Sequence, residues 1–461
     1  MLLKNRLEKV KSFIKNDNVL AKLEERYCYS TDASNNRIDS QTPDLVVFVE
    51  TIEDVQKIVK FANIHEIPII SRGAGTNMVG GCLTPTGGIV LNFSKMNKIV
   101  DFSAENMTIK VQPGVILENI KNTAESKGLF FPPDPSNYKV STIGGAIALS
   151  SGGALSLKYG TTKDYILSLK VVTANGEVLT LGSETMKDAA GYHLNQLIIG
   201  SEGTLAIVVE ATLKLIPKPE CRQVISAYFD SFEDAVNAVN KIMTSNVSPA
   251  AIDFMDKNSI KTVEEYTKFG LCTNSNCMLI IELDGIKDTL NTQIQKIENI
   301  LKDYNAYSTL SLQFEDSQKL WEARHSSFAA ASRLAPDVIS DDIIVPRNNL
   351  LNLIDGCYKI CDKYNLKICL VGHIGDGNIH PQIVLNLDNE SEYRNYQNAK
   401  AEIYELTKQL KGNISAEHGI GIEKVAYIES IIDKDTLEYM KIIKKVFDPK
   451  NILNPGKIFK L

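Results

Sequence analysis

The sequence predicts an α+β fold in two domains. Short apolar strands alternate with an amphipathic helix from about residue 41, and two glycine-rich tracts follow in the first half. After Pro217-Lys-Pro219 the pattern changes to longer amphipathic helices alternating with strands and free of glycine clusters. The 461 residues exceed one ordinary core, and about 150 residues per domain gives two or three.

Residues 1–40 read as an N-terminal helical segment, opening on the charged amphipathic MLLKNRLEKVKSFIKND, and a polar connector. LVVFV (45–49) is a strand. Thr51-Ile-Glu-Asp54 then forms a capping box for a helix that puts Ile52, Val55, Val59 and Ala62 on one face. IPIIS completes a βαβ unit and runs into RGAGTNMVGG. The glycine spacing there is GxGxxxxG with no amphipathic helix after it, since LTPTGGIVLNFS reads as loop and then strand. Two readings of this turn stand level: a nest of backbone N–H groups for a pyrophosphate, or a glycine link between strands. The second tract, PPDPSNYKVSTIGGAIALSSGGALSLKYGTTKDYILSLKVVTANGEVL, favours the first reading. Gly144-Gly145, Gly152-Gly153 and Gly160 are more permissive positions than packing demands, and they suit close backbone approach to a large flat ligand. Asn175-Gly176 predicts a hairpin turn. LIIGSEGTLAIVVEATLKLIP (197–217) reads as strand, turn, strand.

In the second half, FEDAVNAVNKIMTS and SQKLWEARHSSFAAASRLA read as helices, CMLIIEL and KICLVGH as strands. HIGDGNIH places His373 and His380 at the ends of a turn that can hardly be helical. Taken alone, this pair reads first as structural or surface histidines and second as half of a metal site. His65, in a connector, reads as surface, and His193 and His325 receive no role. The tail FDPKNILNPGKIF turns around Asn454-Pro-Gly-Lys457, and no repeat or low-complexity segment is evident.

The net charge of -6 offers no basic stripe that would gain from counterion release, so nucleic acid is excluded as a partner. No apolar run approaches the roughly 20 residues of a membrane span, and the N-terminus lacks a signal-peptide apolar core. A cytoplasmic protein is expected. None of the eight cysteines forms a CxxC pair, which predicts buried thiols rather than a disulfide framework. Cys357 and Cys361 lie four apart in an expected helix without a second pair to complete a ligand set.

The ordered motifs RGAGT, PPDPSN…TIGG…GG…KYG, GSEGTLAIV, HIGDGNIH, SAEHGIG and NPGK cover the chain from about residue 40 to Lys457. In them it resembles the FAD-binding oxidoreductases related to vanillyl-alcohol oxidase and p-cresol methylhydroxylase, within the branch of FAD-dependent D-2-hydroxyacid dehydrogenases. The resemblance implies a two-part PCMH-type FAD-binding domain over 41–219 and an α+β cap (FAD-linked oxidase C-terminal) domain over 220–411. A C-terminal helical return segment, 412–461, would complete the active site and pack on the FAD domain. It implies a pyrophosphate on the backbone of Arg72, Gly73, Ala74, Gly75, Thr76 and Asn77. Further flavin contacts would come from Asp134, Ser136, Ser141, Thr142, Gly144, Gly145, Gly152, Tyr159, Gly160, Glu202, Gly203, Ile207 and Asn454. Some relatives attach FAD through a histidine. None stands at 72–81 or 132–160 here, so non-covalent FAD is expected.

The implied reaction removes a hydride from the α-carbon of a 2-hydroxy acid and a proton from its hydroxyl. His373, His380 and Glu417 would hold a divalent metal (Zn, Fe or Mn) that polarises the hydroxyl. His418, whose unperturbed pKa lies near neutrality, would be the base, and Arg324 would grip the substrate carboxylate. Asp376 and Asn378 would shape the turn and orient the imidazoles. Ser340 stands where the dicarboxylate branch carries lysine, and Gln382 where it carries asparagine. D-lactate is therefore expected before glycolate, with a glycolate oxidase subunit or D-2-hydroxyglutarate dehydrogenase as alternatives. No iron-sulfur or nicotinamide motif is present, so electrons would leave for an external acceptor such as an electron-transfer flavoprotein heterodimer. Direct use of oxygen, and a non-catalytic FAD subunit of a larger complex, are the remaining readings.

Overall fold

The structure, a computed structural model, describes residues 8–35, 38 and 40–461. The first seven residues of the expected N-terminal helix lie outside the described residues. The chain divides into two compact units: Met1–Ser151, Thr161–Lys218 and Glu417–Leu461 form unit 1, and Gly152–Gly160 with Pro219–Ala416 form unit 2.

Unit 1 holds two main sheets. In the first, β1 (Val19–Leu20), β2 (Leu45–Phe48), β4 (Ile89–Asn92) and β3 (Ile69–Arg72) lie in that order. β2, β4 and β3 are parallel, and β1 adds to β2 antiparallel. The βαβ unit is thus present with β4 inserted between its two strands. Its helix, Ile52–His65, begins on the expected capping box: the Asp54 amide donates to Thr51 Oγ1 (3.1 Å) and the Thr51 amide to Asp54 Oδ2 (3.1 Å). Val55, Ile58, Val59 and Ala62 from its inner face join Val47, Ile69, Ile89 and Leu91 in one core, at roughly 1.5–3 kcal/mol for each large side chain fully removed from water. His65 ends this helix half-buried, edge-on to Phe61.

The second sheet is antiparallel, in the order β5 (Ile99–Ser103), β6 (Thr108–Val111), β10 (Ile207–Lys214), β8 (Ile166–Val172), β9 (Val178–Gly182). β7 (Leu129–Phe130) and β11 (Ile216–Pro217) pair separately. The β8–β9 hairpin turns at Asn175-Gly176 as expected, with Gly176 at φ +78°. The strand expected at 197–199 is instead the end of a helix, Leu194–Ile198, because a short apolar run carries no period that separates helix from strand. Ile143–Leu149, which the glycine pattern left without an element, is a helix capped by Thr142.

Unit 2 is built on one antiparallel sheet: β15 (Ser308–Gln313), β12 (Cys221–Phe229), β14 (Cys277–Gly285), β13 (Ala251–Asp256), β18 (Lys367–Gly372), β19 (Asn378–Leu385), β16 (Asp337–Ser340), with β17 (Ile343–Ile344) also on β19. Helices Lys257–Thr267, Phe314–His325 and Ser327–Ala331 cover the face that carries Met255, Met278, Ile280 and Val371. Val371 faces His380 across the β18–β19 ladder, so His380 and Gln382 belong to the same face. Gly152–Gly160, inside the expected 41–219 stretch, clusters with unit 2. Its Lys158 pairs with the buried Asp284, and Tyr159 donates to Asp284 Oδ2 at 2.7 Å. All eight cysteines are free, five of them buried, including Cys357 and Cys361 in the helix Leu350–Lys363.

Candidate active site

Unit 1 contains a cleft of about 1420 Å³, open mouth included. Its walls bring together most of the residues expected to hold the cofactor: the stretch Arg72–Asn77, Ser136, Ser141, Thr142, Gly144, Gly145, Glu202, Gly203, Ile207 and Asn454. Asp134 is not on the wall, and Gly152, Tyr159 and Gly160 lie in unit 2. Glu417 and His418 line the same cleft.

The cradle is shaped by backbone. Gly75 sits at φ +77°, where a Cβ would run into the Arg72 guanidinium. Arg72 donates to Thr31 O at 2.8 Å. Asn77 Oδ1 accepts from the amides of Val79 (3.0 Å) and Gly81 (2.6 Å) and so closes the turn. Buried polar atoms without a protein partner, Ser201 Oγ and Asn454 Oδ1, belong to the wall. A glycine-walled cleft with such orphan groups fits a large polar ligand that supplies their hydrogen bonds. Asn454 Nδ2 donates to Gly81 O (2.9 Å) and Glu202 O (2.6 Å), which draws the C-terminal tail onto both loops. Glu202 is 6% exposed, and burial pushes its carboxyl above the usual range even though it accepts from the amides of Ile420 (2.7 Å) and Gly421 (2.8 Å). Through those two bonds it holds the loop that follows His418. Cys82 also lines the cleft; burial raises its thiol to about 12, so it stays protonated.

In unit 2 the two histidines of HIGDGNIH are buried, 7% exposed each, with rings 5.4 Å apart and nearly perpendicular. The turn between them is set by Gly377 at φ +94°, where a Cβ would strike the Val345 carbonyl. Asp376 Oδ1 accepts from the Asn378 amide (3.3 Å), and Asn378 Nδ2 donates to Asp342 Oδ1 (2.8 Å) and Ile343 O (3.0 Å). His373 Nδ1 lies 2.7 Å from Asp253 Oδ1, and His380 Nδ1 lies 3.2 Å from the Asp341 carbonyl. Donation through Nδ1 selects the tautomer in which Nε2 carries the lone pair, as a metal ligand requires. The donor chemistry of the pair therefore fits a divalent cation.

Asp253, 1% exposed on β13, also meets Arg324 Nε at 2.8 Å through its other oxygen. Burial alone would raise its pKa; His373 and Arg324 beside it outweigh that and hold it below the usual carboxylate value. Arg324 is thus a buried arginine, 5% exposed, rather than the exposed helix residue its type suggests. Its neighbour His325 points outward and stacks on Trp321, and His193 is exposed. Asp342, wholly buried and 3.8 Å from His380, accepts from Ser415 Oγ (3.0 Å) and the Ala416 amide (2.8 Å). Asp253 and Asp342 were not singled out from sequence. The available signal was an acidic residue inside the apolar run Ala250-Ala-Ile-Asp-Phe-Met, since a charge on a buried strand needs a partner.

An FAD binding domain model matches residues 43–182, and the C-terminal domain of FAD linked oxidases matches 218–458. The chain is 42% identical over 435 residues to glycolate oxidase subunit GlcD of Bacillus subtilis (strain 168), covering 94% of this chain and 92% of the relative. It is 33% identical over 427 residues to D-lactate dehydrogenase of Anaerostipes hadrus, covering 90% and 89%. A solved structure of p-cresol methylhydroxylase with substrate bound superposes with TM-score 0.83 over 99% of this chain and 96% of that one, at 17% identity, which shows a shared fold. The chain therefore belongs to the FAD-linked oxidases, an FAD-binding oxidoreductase of PCMH-type fold.

Proposed function

We propose that this FAD-linked oxidoreductase oxidises a small D-2-hydroxy acid to the 2-oxo acid, D-lactate before glycolate. The observation that carries this reading is one buried carboxylate, Asp253, contacting both an arginine suited to a substrate carboxylate and an imidazole suited to a metal. Arg324 pairs by charge with Asp253, and its Nη1–Nη2 edge would give the substrate carboxylate a bidentate grip that fixes the orientation of the α-carbon. His373 and His380, with Glu417, would hold a divalent cation (Zn, Fe or Mn) through the tautomers set by Asp253 and the Asp341 carbonyl. His418, on the cleft wall, would take the hydroxyl proton. Bound FAD supplies the hydride acceptor and the cation a Lewis acid.

Ser340 and Gln382 face each other across β16 and β19, and Gln382 Nε2 lies 3.4 Å from Ser327 Oγ. These positions present no positive charge for a second carboxylate, which supports a monocarboxylate. Glycolate is a real second reading, because the Bacillus subtilis relative is named a glycolate oxidase subunit. FAD is proposed as dissociable, so acid precipitation should leave the flavin in solution. Electrons would pass to an electron-transfer flavoprotein; brisk NAD reduction by this chain alone would sink that partnership.

The deciding experiment adds D-lactate, glycolate, D-2-hydroxyglutarate or L-lactate to the anaerobic FAD-loaded protein. D-lactate should bleach the flavin fastest, and chelation should slow it. His418→Asn should retain FAD yet lose turnover by about 10²-fold or more. Bleaching by none of the four acids would remove the proposed reaction, and normal turnover in the variant would remove His418 from it.

A further inference from the structure

We infer that Asp253 is a positioning residue that couples the substrate-carboxylate grip to the metal site, one oxygen to each. The inference rests on the function proposed above and assigns one residue a coupling role within it.

Asp253 lies in the middle of β13, on the sheet face covered by the helix that carries Arg324. Oδ1 is 2.7 Å from His373 Nδ1 and Oδ2 is 2.8 Å from Arg324 Nε. With the carboxylate 1% exposed, water cannot replace either contact. The two partners come from elements distant in the chain, a helix and the turn after β18, and this carboxylate is the atom group they share. Such an arrangement does three things. Accepting from Nδ1 fixes which nitrogen of His373 carries the lone pair and raises its basicity. Charge pairing with Asp253 holds the Arg324 guanidinium beside β13. Joining both to one rigid strand sets the distance between the carboxylate grip and the cation, which determines where a hydroxyl sits relative to its own carboxyl group.

Asp253→Asn tests this, because an amide offers one acceptor and one donor and can satisfy only one of the two partners. Zn²⁺ affinity of the FAD-loaded protein is measured by competition with a chromophoric chelator, and KM and kcat for D-lactate at saturating Zn²⁺. Zn²⁺ affinity should fall roughly 10–100-fold and KM should rise at least about tenfold, with the thermal midpoint showing a folded variant. A folded variant with both quantities within about twofold of wild type overturns the inference, as does a change in only one of them. If the variant does not fold, the wild-type protein still decides: a His373 Nδ1–H donating to a buried carboxylate gives a proton resonance far downfield of the amides, identified by its loss in His373→Gln. Absence of that resonance overturns the inference. Failure of the proposed function is recognised separately, since wild-type protein would then bind no Zn²⁺ and oxidise none of the hydroxy acids.

Discussion

Lys457 shows how far one buried side chain departs from its ordinary chemistry. It is 2% exposed, donates to Leu83 O at 2.9 Å, and burial lowers its pKa to about 8 against the pull of Cys82, Glu202 and Asp32. The folded value lies below the 10.5 of the free side chain, so the unfolded chain binds more protons between about pH 8 and pH 10.5. Stability then rises with pH across that window, and the full cost of holding the charged form is felt below it. The pH-dependent part amounts to about 3 kcal/mol as an order of magnitude. Lys457→Met should lack it: urea unfolding from about pH 7 to about pH 10 should show wild type gaining on the variant, and parallel curves would refute the account.

Single elements position the chemistry through turns rather than through length. The segment after β18 reverses over Gly375-Asp-Gly377 and returns as β19, placing His380 opposite Val371. Gly377 needs both its positive φ and the space a Cβ would take from the Val345 carbonyl. Gly377→Ala should therefore destabilise the protein by about 1–3 kcal/mol and, under the proposed function, lower the metal bound per chain, measured by thermal unfolding and elemental analysis. The distant Gly270, at φ +84° with nothing near a Cβ, should show a smaller loss as Ala and no change in metal. In unit 1 the corresponding device is the Asn77 side chain, which closes the loop over two amides.

At the scale of the whole molecule, unit 1 is assembled from three stretches of chain, and the last of them fastens the others. Asn454 reaches Gly81 O and Glu202 O from its side chain and Ile69 O from its amide, while Lys444 donates to Thr204 O and Leu453 O. These bonds cross from the tail to both loops of the cleft. Asn454→Ala should cost about 1–3 kcal/mol of stability and weaken FAD binding roughly tenfold, read from the midpoint of thermal unfolding and from flavin fluorescence titration. Unchanged FAD affinity would mean that the tail does not shape the cleft. No helix among the described residues is long and apolar enough to cross a membrane.

The glycine tracts, the capping box at Thr51 and the hairpin at Asn175-Gly176 were legible in the sequence because each depends on backbone conformation over a few residues. Membership of the FAD-linked oxidases was legible for the same reason, since its motifs are short, local and ordered. The sequence did not separate helix from strand over Leu194–Ile199, where apolar residues crowd without a period. It did not place Gly152–Gly160 in unit 2, which depends on Lys158 and Tyr159 reaching Asp284. Nor did it find Asp253, whose contacts with His373 and Arg324 arise from the pairing of β13 with β18 and the packing of a helix on that face. The sequence by itself determined the residue types suited to the proposed chemistry and the turns that carry them. Only the tertiary structure decided which carboxylate joins them, because strand register and helix packing set a buried charge's partners, and neither is written in local spacing.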